Sequence, residues 1–241
     1  MSKTKDLPIA WQANPGGQKL FVNCRVREAL AECTRGSGKS DALLMTFAQF
    51  CERGFGPAWT GILFRQSFPD LSDIIKRSKK WFPLIFGNRC EYNEQKYRWV
   101  WKSGEEFLFR HMENADRDYA AYHGHEYPWI GWEELTNWPD DACFKIMISC
   151  NRTSTPGVPR MIRATTNPWG PGKNWVKARY RLPESRNLII KDATDMDGHI
   201  EFPRVAIFIK FSENKPLVDA DPDYMVTSVR ASASNSAQAK A

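Results

Sequence analysis

The chain has 241 residues, 42% of them hydrophobic, and a net charge of +6, which suits one large domain with a packed core and excludes a chain that is disordered throughout. No apolar run approaches the length of a membrane span and the first residues lack the apolar core of a signal peptide, so we expect an intracellular protein with no membrane partner. The six cysteines form no C-x-x-C pair, which favours reduced thiols over a zinc site or a disulfide framework.

Three segments are expected along the chain. Residues 1–24 contain two prolines and two adjacent glycines and are predicted to be an irregular lead-in. Residues 25–215 are predicted to form the main domain. Residues 216–241 are predicted to be a tail or linker, because their last part reads like the interrupted start of a helix.

Within the main domain, strands and helices are predicted to alternate. Strands are predicted in 21–33, 60–67, 127–134, 160–168 and 204–211, and helices in 39–54, 68–86, 114–124, 139–150 and 174–182. Residues 97–112 predict a β-hairpin that turns at Ser103-Gly104. The alternation predicts an α/β fold with a mostly parallel central sheet and helices on both faces. Ligands bind such sheets beyond the carboxyl ends of the strands.

The run CTRGSGKS, residues 33–40, lies between the first predicted strand and the first helix and predicts a phosphate-binding loop (P-loop, Walker A). Lys39 would reach the β- and γ-phosphates of a nucleotide, and the Ser40 hydroxyl would bind Mg²⁺. Cys33 replaces the first glycine of the usual pattern, so the turn must begin at negative φ or accept strain. The alternative is an ordinary turn that caps a helix. The predicted nucleotide-binding residues are Gly36, Ser37, Gly38, Lys39, Ser40 and Asp41.

Two consecutive carboxylates follow the predicted strand YPWIGW, at Glu133 and Glu134. In an ATPase, the first (Walker B) would hold Mg²⁺, and the second would orient and deprotonate the attacking water. Glutamate in the first place departs from the usual aspartate, although its longer side chain could still bind Mg²⁺ through water. Taken alone, a Glu-Glu pair is more often the solvated start of a helix.

A third polar group ends the predicted strand in RATTNPWG, at Thr165, Thr166 and Asn167. These side chains could sense the γ-phosphate and transmit its loss to neighbouring elements. The alternative is a turn fixed by the Asn-Pro pair.

Basic residues are concentrated between 151 and 186, where eight lysines and arginines accompany one acid and three interleaved aromatic residues. Such a mixture could bind a nucleic-acid backbone and stack on bases. A solvated face with the aromatic rings turned into the core is an equal alternative. The predicted DNA-binding residues are Lys173, Lys177, Arg179 and Arg181.

Five stretches resemble the ATPase domain of the large terminase subunit of tailed bacteriophages. They read TRGSGKSDALLM, GILFRQSFPDL, RSKKWFPLIF, YHGHEYPWIGWEELTNW and RATTNPWGPGKNWVK, and the similarity extends from about residue 11 to the end. The resemblance implies a P-loop NTPase fold in which an added strand lies between the Walker A and Walker B strands. It also implies a motor that uses ATP and Mg²⁺ to drive double-stranded DNA into a procapsid.

The resemblance further assigns residue roles. Lys39, Glu134 and Arg35 match catalytic positions, and Arg35 could contact the γ-phosphate within its own subunit. Residues 165–168 match the family's coupling motif, and Gln18 lies where the family often places a glutamine that reads adenine. The candidates for an arginine that acts on the neighbouring subunit are Arg65, Arg110 and Arg117.

The implied partners are double-stranded DNA, the portal protein, the small terminase subunit and other copies of the chain in a ring, expected to be a pentamer, with a monomer as the form in isolation. The implied location is the cytoplasm of a bacterial host and, transiently, the procapsid portal, but not the mature virion. The family's carboxy-terminal nuclease domain has no counterpart in the sequence, so we expect no DNA cleavage by this chain. Two alternatives stay open: another P-loop motor, such as a helicase or recombinase, and a non-catalytic nucleic-acid-binding module.

Overall fold

The computed structural model describes residues 9–194 and 198–224, which form one nine-stranded sheet with helices packed on it. The strands are β1 (Glu28–Glu32), β2 (Thr60–Arg65), β3 (Cys90–Asn93), β4 (Arg98–Trp101), β5 (Glu106–His111), β6 (Trp129–Trp132), β7 (Met161–Thr166), β8 (Ile189–Ile190) and β9 (Arg204–Phe208). The helices are α1 (Gly17–Val22), α2 (Lys39–Ala48), α3 (Leu71–Phe86), α4 (Ala115–Asp118), α5 (Ala142–Ile148), α6 (Lys173–Tyr180) and α7 (Lys215–Ala220). None of these helices has the length and apolar character that a membrane crossing requires.

The strand order is β3-β4-β5-β2-β6-β7-β1-β9-β8. From β5 to β9 all neighbouring strands are parallel, whereas β3, β4 and β8 join the two edges in antiparallel pairs. Strand β7 lies between β1, which leads into the glycine-rich loop, and β6, which leads into the two glutamates. The predicted α/β fold is confirmed, and one strand lies between the strand before the glycine-rich loop and the strand before the two glutamates.

Alternation along each central strand divides the core into two layers, because successive side chains point to opposite faces of a sheet. In β1, Ala29 and Ala31 face a layer formed with α1, α2 and α3, while Leu30 faces the layer formed with α5 and α6. Strand β6 divides in the same way, with Trp129 in the first layer and Trp132 in the second. Both faces are buried, as a parallel sheet requires.

The predicted hairpin is present, since β4 and β5 pair in antiparallel register across a turn at Gly104, whose φ is +106°. Strand β3, which the sequence analysis did not predict, pairs with the outer edge of β4. Strand β5 in turn joins β2 in parallel register, with His111 opposite Arg65. The hairpin thus extends the sheet on the side of the two glutamates.

Three predicted elements differ from the structure. The lead-in contains the half-buried helix α1, which begins at Gly17, where any larger residue would clash with the backbone of Phe208. The helix expected over 114–124 is reduced to one turn, α4, followed by a 3-10 turn at Tyr119–Ala121. Of the predicted tail, 216–224 includes most of α7, and the proposed helix start in 225–241 lies outside the described residues.

Candidate nucleotide-binding cleft

A cleft of about 1050 Å³ lies at the carboxyl edge of the sheet. Its floor is formed by loop 33–40 and the ends of β2, β6 and β7, and one wall is formed by α3. Residues 9–18 and 214–224 form the rest of the rim. The cleft therefore gathers the three motifs that the sequence analysis singled out.

The glycine-rich loop has the backbone of a tight turn that leads into a helix. Gly36 and Gly38 have φ of +79° and +78°, and α2 begins immediately afterwards at Lys39. An added Cβ at Gly36 would lie 2.7 Å from the Tyr224 ring, so a larger residue fits neither the backbone nor the space. Cys33 is buried and is not among the residues with positive φ, so the loop begins without the strain that its missing glycine could have caused.

Lys39 is buried at the centre of the cleft floor. Its ammonium group donates to the carbonyl oxygens of Thr34 at 2.8 Å and Cys33 at 3.4 Å, and to Asn167 Oδ1 at 3.0 Å. Burial lowers the pKa of Lys39, since desolvation disfavours the charged form. The partners are neutral oxygens, which phosphate oxygens could replace with a gain in charge complementarity.

The two glutamates at the end of β6 lie beside Lys39 but in different environments. Glu133 is buried, and burial raises its pKa, whereas the Arg65 guanidinium and a hydrogen bond from Ser40 act in the opposite direction. The side chain of Glu134 is 39% exposed to the cleft. The Glu134 backbone is left-handed, with φ of +55°, a conformation that non-glycine residues adopt rarely and that often marks functional sites.

Arg65, at the end of β2, is shared by both carboxylates. Its Nη1 lies 3.1 Å from Glu134 Oε2 and 3.7 Å from Glu133 Oε2, and only 12% of the side chain is exposed. Both glutamates thus hold Arg65 within its own chain, and its candidacy as the trans-acting arginine stays a prediction. Its place inside the cleft follows from the parallel pairing of β2 with β6, which no local sequence signal reveals.

The residues at the end of β7 connect Lys39 to Glu134. Asn167 accepts from Lys39 through Oδ1 and donates through Nδ2 to Glu134 Oε1 at 3.3 Å. The Glu134 backbone N–H donates to the Thr165 hydroxyl at 3.0 Å, and the Thr166 hydroxyl lies 3.2 Å from that of Thr136. One amide side chain thus contacts both the lysine and the second glutamate, and the two threonines anchor the surrounding turns.

Helix α3 supplies a charged wall that the sequence analysis did not include in the site. Arg77 pairs with Asp73 at 2.7 Å and with Asp41 at 3.3 Å, and all three side chains line the cleft. Asp41, a predicted nucleotide-binding residue, is thereby tied to α3. The available signal was the cluster of basic residues at 76–80 in the helix predicted over 68–86.

Two segments that are distant in the sequence, around Gln18 and Asn214, hold the loop from outside. Gln18 Nε2 donates to the Gly38 carbonyl oxygen at 2.9 Å, and Gln18 Oε1 accepts from the Asn14 backbone N–H at 2.5 Å. Asn214 Nδ2 donates to the Gly36 carbonyl oxygen at 2.6 Å. Gln18 thus lies at the cleft as predicted, with its amide bound to the loop; that it reads adenine stays a prediction. The sequence analysis missed Asn14 and Asn214, whose long-range contacts have no local signature.

The predicted DNA-binding residues on α6 are only partly available. Arg179 is buried and donates two hydrogen bonds to Glu28, at 2.7 and 2.6 Å, so the prediction that it contacts DNA is wrong. Arg181 is exposed and pairs with Asp192 at 2.9 Å. Lys173 and Lys177 are exposed. Several basic side chains of 151–186 therefore bind groups within the protein. Arg163 is another example, since its guanidinium donates to backbone carbonyl oxygens.

Oxygen ligands suited to Mg²⁺ are present where the sequence analysis placed them. The Ser40 hydroxyl and the Glu133 carboxylate adjoin each other, and hard oxygen donors are what Mg²⁺ prefers. Across 9–194 and 198–224, no group of three or more histidine, cysteine, aspartate or glutamate side chains could hold a metal ion. The donors fit an ion that is completed by nucleotide oxygens and water rather than one held by protein alone.

The strand order, the glycine-rich loop before α2 and the carboxylates after β6 define a P-loop NTPase fold. Residues 31–180 match the family model described as "Terminase large subunit, T4likevirus-type, N-terminal". The chain therefore belongs to the large terminase family.

Solved structures support the fold. The large terminase of the thermophilic bacteriophage D6E superposes with a TM-score of 0.58 at 14% identity, over 82% of this chain and 46% of that one. The large terminase ATPase domain of Thermus phage P74-26 superposes with a TM-score of 0.54 at 12% identity, over 87% of this chain and 86% of that one. The D6E protein has also been solved with ADP and with ATP-gamma-S. This chain spans about half the length of the D6E large terminase. No match is found among curated protein sequences.

Proposed function

We propose that this chain is the ATP-hydrolysing motor domain of a phage DNA-packaging terminase, and that it couples ATP hydrolysis to the translocation of double-stranded DNA into a procapsid. The observation that carries the proposal is the convergence of Lys39, Ser40, Glu133 and Glu134 at the floor of one cleft. Membership of the large terminase family supports the biological setting.

The chemistry assigned to the cleft is phosphoryl transfer from ATP to water. Lys39 would exchange its carbonyl partners for β- and γ-phosphate oxygens, and Arg35, exposed at the rim, would add a second positive charge. Glu134 would orient and deprotonate the attacking water, because its side chain reaches the open cleft. Ser40 and Glu133 would hold Mg²⁺, which, when bound, neutralises charge on the phosphates.

Asn167 gives the coupling motif a physical role in this proposal. While ATP is bound, Lys39 is drawn to the γ-phosphate and Asn167 is free to orient Glu134. After the phosphate leaves, Lys39 returns to Asn167, and the turn at 165–168 moves with it. Coupling requires an element with two arrangements. Both the nucleotide and the neighbouring segments must shift the equilibrium between those arrangements.

The remaining partners are proposed from the family. They are double-stranded DNA, the portal protein, the small terminase subunit and further copies in a homo-oligomeric ring, acting in the bacterial cytoplasm and on the procapsid portal. Arg117 is the candidate for the trans-acting arginine, since 64% of its side chain is exposed, whereas Arg110 donates to three backbone carbonyl oxygens of its own hairpin.

The test compares ATP binding and turnover of the wild type with those of Lys39→Ala and Glu134→Gln, with Glu91→Gln as a control on the exposed side of β3. Lys39→Ala should lose nucleotide affinity. Glu134→Gln should bind ATP normally but turn over about 10²–10⁴-fold more slowly, the usual contribution of a positioned base. Glu91→Gln should behave as the wild type. Equal turnover in all four proteins, or no nucleotide binding by the wild type, would contradict the proposal.

A further inference from the structure

A second groove lies beside the end of the β4–β5 hairpin, outside the nucleotide-binding cleft. It has a volume of about 320 Å³, and its side chains are basic or aromatic. Those that matter are Phe68, Lys96, Tyr97, Arg98, Arg110 and His111. We call this surface the hairpin groove.

The charge of the hairpin groove is positive and largely uncompensated. No acidic side chain is among its lining residues in the described chain. Arg98 is neutralised by Glu106 at 2.9 Å, but Lys96 is exposed. Arg110 donates through one nitrogen to the carbonyl oxygens of Phe109 at 2.7 Å and Lys96 at 3.0 Å, which fixes its guanidinium without cancelling its charge. Arg110 is thus held in place near the end of β5, and Lys96 lies exposed in the turn between β3 and β4.

An exposed aromatic ring lies beside these charges. Phe68 is 44% exposed, and its ring packs edge-on against Tyr97 at 5.0 Å and His111 at 5.8 Å. Because the two neighbours fix its orientation, Phe68 offers a flat apolar surface at little cost in side-chain entropy. Cations next to flat apolar surface suit a sugar–phosphate backbone, whose contacts with proteins are divided between phosphate oxygens and sugars.

The hairpin groove is also connected to the nucleotide-binding cleft. His111 lies opposite Arg65 in the β2–β5 register, and Arg65 contacts Glu133 and Glu134. Phe68 follows Arg65 by three residues, and the same loop continues to Asp70, which lines the cleft. A ligand in the groove would therefore touch the segment that holds the second glutamate in place.

We propose that the hairpin groove binds the sugar–phosphate backbone of duplex DNA. The identity of the partner rests on the proposed function, while the site rests on the positive charge, the exposed Phe68 ring and the fixed Arg110 guanidinium. The sequence analysis predicted DNA binding on α6, where Arg179 is buried but Lys173 and Lys177 are exposed. An acidic protein surface is the competing occupant.

The experiment measures equilibrium binding of a short, mixed-sequence DNA duplex across a range of salt concentrations. The test variants are Lys96→Gln, Phe68→Ser and the double variant Lys96→Gln/Arg110→Gln. The matched controls are Lys173→Gln and Lys177→Gln, which remove the same charge from α6. Thermal melting reports whether each variant is folded, and ATP turnover reports the nucleotide site separately.

Each lost phosphate contact should reduce the slope of log K against log salt by about 0.9. Lys96→Gln should therefore reduce the slope by about 1, the double variant by about 2, and the two α6 controls by nothing measurable. Phe68→Ser should weaken binding without changing the slope. Lys96→Gln should keep the ATP turnover of the wild type in the absence of DNA.

Three results would overturn the inference: no DNA binding by the wild type, a loss confined to the α6 controls, or groove variants that bind DNA as the wild type does. Failure of the proposed function is distinguishable, because it would abolish ATP binding or turnover while the salt dependence of DNA binding stayed as described.

Discussion

The amino ends and the carboxyl ends of the parallel strands form two opposite sides of the sheet, the amino edge and the carboxyl edge. Charged side chains are buried at both, but their partners differ. At the amino edge, Glu28 is fully buried and holds Arg179 through two hydrogen bonds of 2.7 and 2.6 Å, both between protein groups. At the carboxyl edge, Arg65 is shared between two glutamates, and Lys39 is held by neutral oxygens in front of an open cleft. A buried pair with fixed geometry needs both of its partners, whereas shared and neutral partners can be exchanged for a ligand.

The largest effect expected from this comparison is on stability, at the amino edge. Arg179→Met should lower the free energy of unfolding by about 3–5 kcal/mol, because it leaves Glu28 charged and buried without the arginine that pairs with it. Urea unfolding measures the loss, with Asp192→Asn as the control. That variant breaks the exposed pair with Arg181, and exposed pairs contribute about 0–1 kcal/mol.

Adding Glu28→Gln to Arg179→Met should recover part of the loss, since the uncompensated charge is then removed. Equal losses for Arg179→Met and Asp192→Asn would show that the amino-edge pair has no special role.

An intermediate effect is expected on catalysis, at the carboxyl edge. Asn167→Ala should slow ATP turnover by about 10–100-fold with little change in ATP affinity, because Glu134 loses the donor that also contacts Lys39. Asn137→Ala is the matched control, since Asn137 donates to the other oxygen of Glu134 at 3.4 Å but does not touch Lys39. Single-turnover kinetics should separate the two variants, and equal rates would contradict a connecting role for Asn167.

The smallest change in stability is expected when Glu133 is replaced. Burial raises the pKa of Glu133, so the folded state binds its proton more tightly than the unfolded state does. The folded state therefore loses stability as pH rises from the ordinary glutamate range through the raised pKa. Glu133→Gln cannot ionise and should melt a few degrees higher than the wild type at neutral pH.

This difference in melting temperature should shrink as pH falls. ATP turnover should be lost at every pH, because the carboxylate proposed to bind Mg²⁺ is absent. Melting curves over a pH series measure the difference in melting temperature between Glu133→Gln and the wild type. A variant that is less stable than the wild type at neutral pH would contradict the argument.

The fold and the floor of the cleft could be predicted from the sequence, because their signals lie within short stretches of the chain. The alternation of strands and helices predicted the sheet, and the loop around Lys39 and the glutamates after β6 carry their signals within a few residues. The sequence analysis missed the positions of Arg65, Asn14 and Asn214 in the cleft. Those positions depend on strand register and on contacts between distant segments. Arg179 was misassigned because composition cannot tell a basic residue that pairs inside the protein from one that faces a ligand.

The most direct test of the carboxyl edge as a hydrolysis site is a crystal structure with a non-hydrolysable ATP analogue and Mg²⁺. We predict that Lys39 Nζ contacts the γ-phosphate, that Mg²⁺ lies between Ser40 and Glu133, and that Glu134 faces the γ-phosphate with Arg65 no longer bridging the two glutamates. A nucleotide bound elsewhere, or one bound in the cleft while Lys39 keeps its carbonyl partners and Arg65 its pairing with Glu133, would contradict the account.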